Sequence, residues 1–162
     1  RGGGQERGWR AGTENVPGIV GFGIAAGLAT QALAREGVRL AASRDRLEAG
    51  LLALAPQSVV FGRGAPRLPN TSAFATPGLS AETTLIKLDL AGVALSSGSA
   101  CSSGKVKRSH VLTAMGVDPV MSAGALRASL GWTTCEQEID LFLAAYAKAL
   151  AAIPDRSARA AA

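Results

Sequence analysis

Residues 93–104 read Val93-Ala94-Leu95-Ser96-Ser97-Gly98-Ser99-Ala100-Cys101-Ser102-Ser103-Gly104. The first three are apolar and read as a short strand. The nine that follow are Ser, Gly, Ala and one Cys, so none brings bulk to a core. Downstream, residues 110–115 read as a short helix ended by Gly116, and residues 125–130 (ALRASL) alternate like a strand. Upstream, residues 58–61 and 72–76 read as short strands separated by a Gly/Pro-rich connection. Ser80 then caps a helix that runs to about Leu90 and closes at Gly92. Strands and helices interleave without an internal repeat, so the fold class is α/β or its α+β relative.

The flanks are helical. Asn15 suits an N-cap and Pro17 a first turn, which opens a helix of small residues over 16–35, with Gly37 as its stop. A second helix follows, with Leu40, Leu47, Leu51 and Leu54 on one face and Arg44, Asp45 and Glu48 off it; Pro56 ends it. Near the C-terminus, Thr134-Cys135-Glu136-Gln137 has capping-box spacing and opens an amphipathic helix to about Ile153. Residues 154–162 read as a frayed tail. Residues 1–15 are glycine-rich and polar, and the chain starts without Met, as if inside a loop. It reads as a piece of a longer protein.

The chain has 162 residues, 48% of them hydrophobic and 18% charged, which excludes intrinsic disorder. Only 4% are aromatic, so the core must be aliphatic. Lys and Arg number 17 against 12 Asp and Glu, a net charge of +5. A basic balance suits nucleic acid, but no aromatic stacking platform accompanies it, so no nucleic-acid partner is expected. Two cysteines, Cys101 and Cys135, make neither a disulfide framework nor a metal quartet, and a reduced, cytoplasmic compartment is the expectation. No signal peptide and no clean apolar run of about 18 residues stand out, and no membrane partner is expected.

Cys101 sits among residues that supply no apolar pocket, with Lys105, Lys107 and Arg108 just downstream. An exposed thiol near positive charge, on a supple segment, is suited to nucleophilic work at two places. The composition fits a Ser/Gly linker with an incidental cysteine equally well.

SSGSACSSG, followed by SHVLTAMG and LRASLGWTT, resembles the active-site loop region of cysteine desulfurases of the NifS/IscS type. The opening GGGQERGWRAGTENVPGIVG resembles the same family's stretch downstream of its cofactor lysine. The resemblance spans residues 2–140, the C-terminal two-fifths of such an enzyme. It implies a class V aminotransferase of pyridoxal phosphate (PLP) fold type I, acting as a homodimer on L-cysteine. PLP serves as an electron sink, and a loop cysteine takes the sulfur, leaving alanine and a persulfide. By position that nucleophile is Cys101, which passes sulfur to an iron–sulfur scaffold or another acceptor protein. The same thiol is a candidate shared ligand to a cluster on such a scaffold. Arg127 matches the arginine that holds the substrate carboxylate, and Thr13 the threonine that reaches the PLP phosphate of the neighbouring subunit. The implied domains are the end of the large PLP domain (1–36) and a small α/β domain (37–153) carrying the loop 96–104. The helix of the first part is expected to expose an apolar face.

His110, the only histidine, could pair with Cys101, although the family pattern makes it structural; Cys135 reads as an incidental substitution. The family's PLP lysine follows a histidine, and none of Lys87, Lys105, Lys107 and Lys148 does. The isolated chain is therefore expected to be inactive. Alternative readings are a non-catalytic sulfur-carrier or interaction module, and an enzyme like the selenocysteine lyases.

Overall fold

A computed structural model describes residues 2–98 and 109–152. The chain forms two compact units, Arg1–Glu36 and Gly37–Ala162. Helix α1 (Val16–Leu54) runs through the boundary. Where the sequence suggests two helices separated at Gly37, there is one. Gly37 does not adopt the left-handed conformation that stops a helix, and good helix formers, Arg35, Glu36, Arg39 and Leu40, flank it. A single interior glycine costs only about 1 kcal/mol, too little to break such a run.

A second expectation also fails in this helix. Residues 16–34 carry no charge, and α1 contains an 18-residue window of mean hydropathy 1.5, enough in length and composition to cross a membrane. Gly, Ala and Thr dilute the pattern and hide it from a search for bulky apolar runs. Ile19, Val20, Phe22, Ile24, Leu28 and Leu33 on this stretch are all exposed, the apolar face expected of the end of a larger domain.

The second unit is built on a four-stranded sheet in the order β1-β2-β4-β3, antiparallel at every pairing. The strands are β1 (Val59–Val60), β2 (Thr71–Ala75), β3 (Ser96–Ser97) and β4 (Leu126–Ser129). Between and after them lie α2 (Ala81–Leu90), α3 (His110–Ala114), α4 (Pro119–Ala123) and α5 (Glu136–Ala151). Strand alternation gives the sheet two covered faces. On one, Phe74, Leu126 and Ala128 pack with Leu47 and Leu51 of α1 and with Phe142 and Tyr146 of α5. The rings of Phe74, Phe142 and Tyr146 form a triangle with centroids 5.5–6.0 Å apart. On the other, Ala75 and Ala125 meet Phe61 and Leu112 of α3, with Met121 of α4 against them.

Three local differences from the sequence reading bear on the site. The third strand is Ser96–Ser97 rather than 93–95, because Gly92 turns left-handed (φ +80°) and the Val93 N–H is spent on Leu88 O at 2.9 Å. The capping box of α5 sits one residue later. Thr134 Oγ1 instead accepts from Gly131 N–H at 2.9 Å, closing a turn, while the Cys135 N–H donates to Glu138 Oε2 at 3.0 Å. Helix α4 is missing from the sequence reading, although Asp118-Pro119 signals its start: Asp118 Oδ1 accepts from Val120 N–H at 2.8 Å.

A buried ion pair ties α1 to the connection before β2. Glu48, only 3% exposed, accepts two bonds from Arg67, at 2.8 and 3.0 Å. Burial alone would raise the Glu48 pKa; the bonds and charge of Arg67, with Ser72 and Arg44, outweigh it and hold the group below its ordinary 4.5.

Candidate functional site

Arg127 stands on β4 between two neighbouring strands, opposite Ala73 on β2 and Ser96 on β3. Leu126 and Ala128 turn into the larger core, so alternation turns Arg127 out to solvent on the opposite face, the one carrying Ala125. Both cross-strand neighbours are small, which leaves room above the sheet for the guanidinium. The side chain makes no hydrogen bond or ion pair among the described residues. An exposed arginine without an internal partner, on a strand paired along both edges, is a fixed fork for a carboxylate. Just past the strand, Leu130 N–H donates to Asn70 O and Asn70 Nδ2 donates to Leu130 O, and Arg39 donates to the carbonyls of Gly131, Trp132 and Thr134. Sequence reading misses Arg39, because its carbonyl partners lie in a turn distant in the chain.

Cys101 lies outside the described residues, as does the rest of 99–108, but both ends of that segment are defined. At one end Gly98 N–H donates to Ala125 O at 2.8 Å. At the other, Ser109 is buried and N-caps α3, its Oγ accepting from Leu112 N–H at 3.3 Å. Leu112 packs in the small cluster with Ala125. Gly98, before the segment bearing Cys101, and Leu112, in the helix after it, therefore both meet Ala125, two residues before Arg127.

Thr13 is exposed in the Arg1–Glu36 unit, in a bend held by Arg10, which donates to the carbonyls of Gly12 and Thr13. The start of α1 does not supply the free amides that a phosphate would use. The Val16 N–H is bonded to Glu14 O, Pro17 has none, and the N–H groups of Gly18 and Ile19 go to Asn15. What remains for a phosphate is the Thr13 hydroxyl, together with a sequence in which no lysine follows a histidine. These residues do not make a PLP site by themselves.

The other candidates are peripheral. His110 opens α3 and is exposed; Cys135 is exposed at the N-cap of α5. Among the described residues no cluster of three or more His, Cys, Asp or Glu side chains is placed to hold a metal. The shared-ligand reading of Cys101 falls outside them.

Residues 3–142 match the aminotransferase class-V family model, and the chain belongs to that family. It is similar to a cysteine desulfurase of Sinorhizobium fredii, 48% identical over 88% of this chain and 37% of that protein. The cysteine desulfurase NifS of Azotobacter vinelandii is 47% identical over 86% of this chain and 35% of its own length. Among solved structures, a NifS-like protein from Rickettsia africae superposes with a TM-score of 0.81 at 34% identity, over 93% of this chain and 39% of that one. The mixed α/β fold is that of NifS-like proteins. The chain spans little more than a third of the length of these relatives.

Proposed function

We propose that this chain is the sulfur-accepting part of a cysteine desulfurase: Arg127 holds the carboxylate of L-cysteine, and Cys101 takes its sulfur as a persulfide. The observation that carries this reading is the convergence at one end of β4. An exposed guanidinium, without a partner among the described residues, stands there two residues from Ala125, which bonds Gly98 before the Cys101 segment and packs with Leu112 of the helix that Ser109 caps after it. The PLP chemistry that weakens the carbon–sulfur bond belongs to residues other than those described. Thr13 is the one proposed contact to the PLP phosphate, across a homodimer. The sulfur held at Cys101 then passes to an acceptor protein, an iron–sulfur scaffold being the proposed partner.

The reading is testable without PLP. A thiolate attacks the outer sulfur of a small persulfide, forming Cys101–S–SH and releasing the donor as its thiolate. Cysteine persulfide should load Cys101 in preference to Cys135, read as one added sulfur by peptide mass spectrometry. Arg127→Lys should slow loading about tenfold for cysteine persulfide and not for its methyl ester, because the lost fork recognises only the carboxylate. Loading at Cys135 instead, or equal slowing with both donors, would overturn it.

A second reading is a sulfur carrier loaded by another protein. Alanine release on incubation with L-cysteine and PLP argues against the carrier; persulfide loading without alanine release supports it.

A further inference from the structure

We infer that the cavity at the open end of the β3–β4 ladder binds a small aliphatic amine, with its hydrocarbon inside and its ammonium on Glu138. The cavity arises where the ladder stops. Ser96 and Ser97 pair with Arg127 and Leu126, but the residues before Ser96 do not continue the pairing. The Val93 N–H is spent on Leu88 O, so residues 93–95 pass β4 without joining it. A space of about 290 Å³ opens there. A dry, apolar cavity of about 150 Å³ already takes up benzene, so a chain of six carbons fits. Arg127 does not line this space, and the inference is independent of the sulfur-transfer reading.

The walls select the ligand. Leu47, Val93, Leu95, Leu130, Ile139 and Phe142 line the cavity, and all six belong to the larger core or pack against it. Such walls reward hydrocarbon. Among the residues lining the space, Glu138 alone carries a charge. It is exposed on α5, and Leu141, 47% exposed, follows three positions later on the same face. Glu138 Oε2 accepts from the Cys135 N–H at 3.0 Å, while Oε1 has no partner among the described residues. The capping box thus occupies an amide that an anion would need at this helix terminus. A full negative charge also outweighs the roughly half positive charge of the terminus, so the polar end of the ligand is a cation.

The test uses the full chain and two probes of equal length, n-hexylammonium and n-hexanol. Each is titrated while the methyl resonances of Leu95, Leu130 and Leu141 are followed by NMR. Both probes should shift these methyls, and hexylammonium should bind about three- to fivefold more tightly, the strength of an exposed ion pair. Glu138→Gln keeps an acceptor for the cap and removes the charge. It should weaken hexylammonium to the level of hexanol and leave hexanol unchanged. Leu141→Trp, which fills the mouth of the cavity, should weaken both probes. Should Glu138→Gln fail to fold by circular dichroism, the two probes on the unchanged chain decide. Equal affinity of that chain for both overturns the choice of an amine. Methyls unmoved at about 10 mM probe, or binding untouched by Leu141→Trp, overturn the site itself. Any of these failures leaves the role of Arg127 standing.

Discussion

Glu48 is an acidic residue on the apolar side of α1, a placement that the Leu40-Leu47-Leu51-Leu54 pattern does not foretell. Its partner, Arg67, arrives from a Gly/Pro-rich connection whose path local sequence does not determine, so the pair was invisible before the fold. Removing one partner leaves an uncompensated charge, and Glu48→Ala should cost about 3 kcal/mol in denaturant unfolding. The pH dependence follows from the lowered pKa. The folded state holds Glu48 ionised more tightly than the unfolded chain does, so the pair's stabilisation is complete above about pH 4.5 and drains away as pH falls through the lower folded value. Glu48→Gln should lose that part of the acid limb, measured as the difference between the two stability–pH curves. Tyr146, the only tyrosine, gives the opposite case. Burial raises its pKa above the ordinary 10, against a bond with Thr76 that lowers it. Its phenol absorbance should titrate above pH 10 in the native state, with stability lost as pH rises past 10 because only the unfolded chain ionises readily there. The outward strand position of Arg127 is legible in the alternation of residues 125–130. The tight surroundings of Gly98 are not legible in that way: a Cβ there would lie 2.7 Å from Ala125 Cβ, a neighbour that only the fold supplies.

Helix α1 shows the same limit one level up. Its cap at Asn15 and the apolar face of Leu40, Leu47 and Leu51 are legible in the sequence, but Leu54, expected on that face, is 42% exposed, Gly37 does not stop the helix, and Gly50 gives no signal. The two glycines have opposite surroundings. Nothing lies within 4 Å of a Cβ built at Gly37, which sits in mid-helix; one at Gly50 would meet Leu143 Cδ1 of α5 at 2.5 Å. Gly37→Ala removes backbone freedom from the unfolded chain without strain and should stabilise by about 0.5–1 kcal/mol. Gly50→Ala forces α1 away from α5, or Leu143 out of its rotamer, and should destabilise by about 1–3 kcal/mol. Chemical denaturation of the pair decides it, and a shared sign would contradict the helix path. The short strands were legible to within one or two residues from alternation, apart from β3, where closure of α2 consumed the backbone that the pattern had allotted to a strand.

At the scale of the molecule, every residue of both hydrophobic clusters lies at or beyond Leu40. The Arg1–Glu36 unit contributes none of them, and its share of α1 exposes Phe22 at 78% and Leu33 at 70%. The small-residue composition of that stretch does not say that the second unit builds its core without it. Cooperative stability should therefore reside in the second unit. A chain reduced to residues 37–152 is expected to unfold in one transition, with a midpoint within a few degrees of the intact chain's, since it keeps the Glu48–Arg67 pair and the Phe74–Phe142–Tyr146 triangle. The intact chain should bind an apolar fluorescent dye and sediment in a concentration-dependent way, and the shortened one should do neither, because contiguous exposed apolar surface drives both. A large fall in midpoint on shortening would place part of the folding energy in residues 1–36, and the division of the core between the two units would then be wrong.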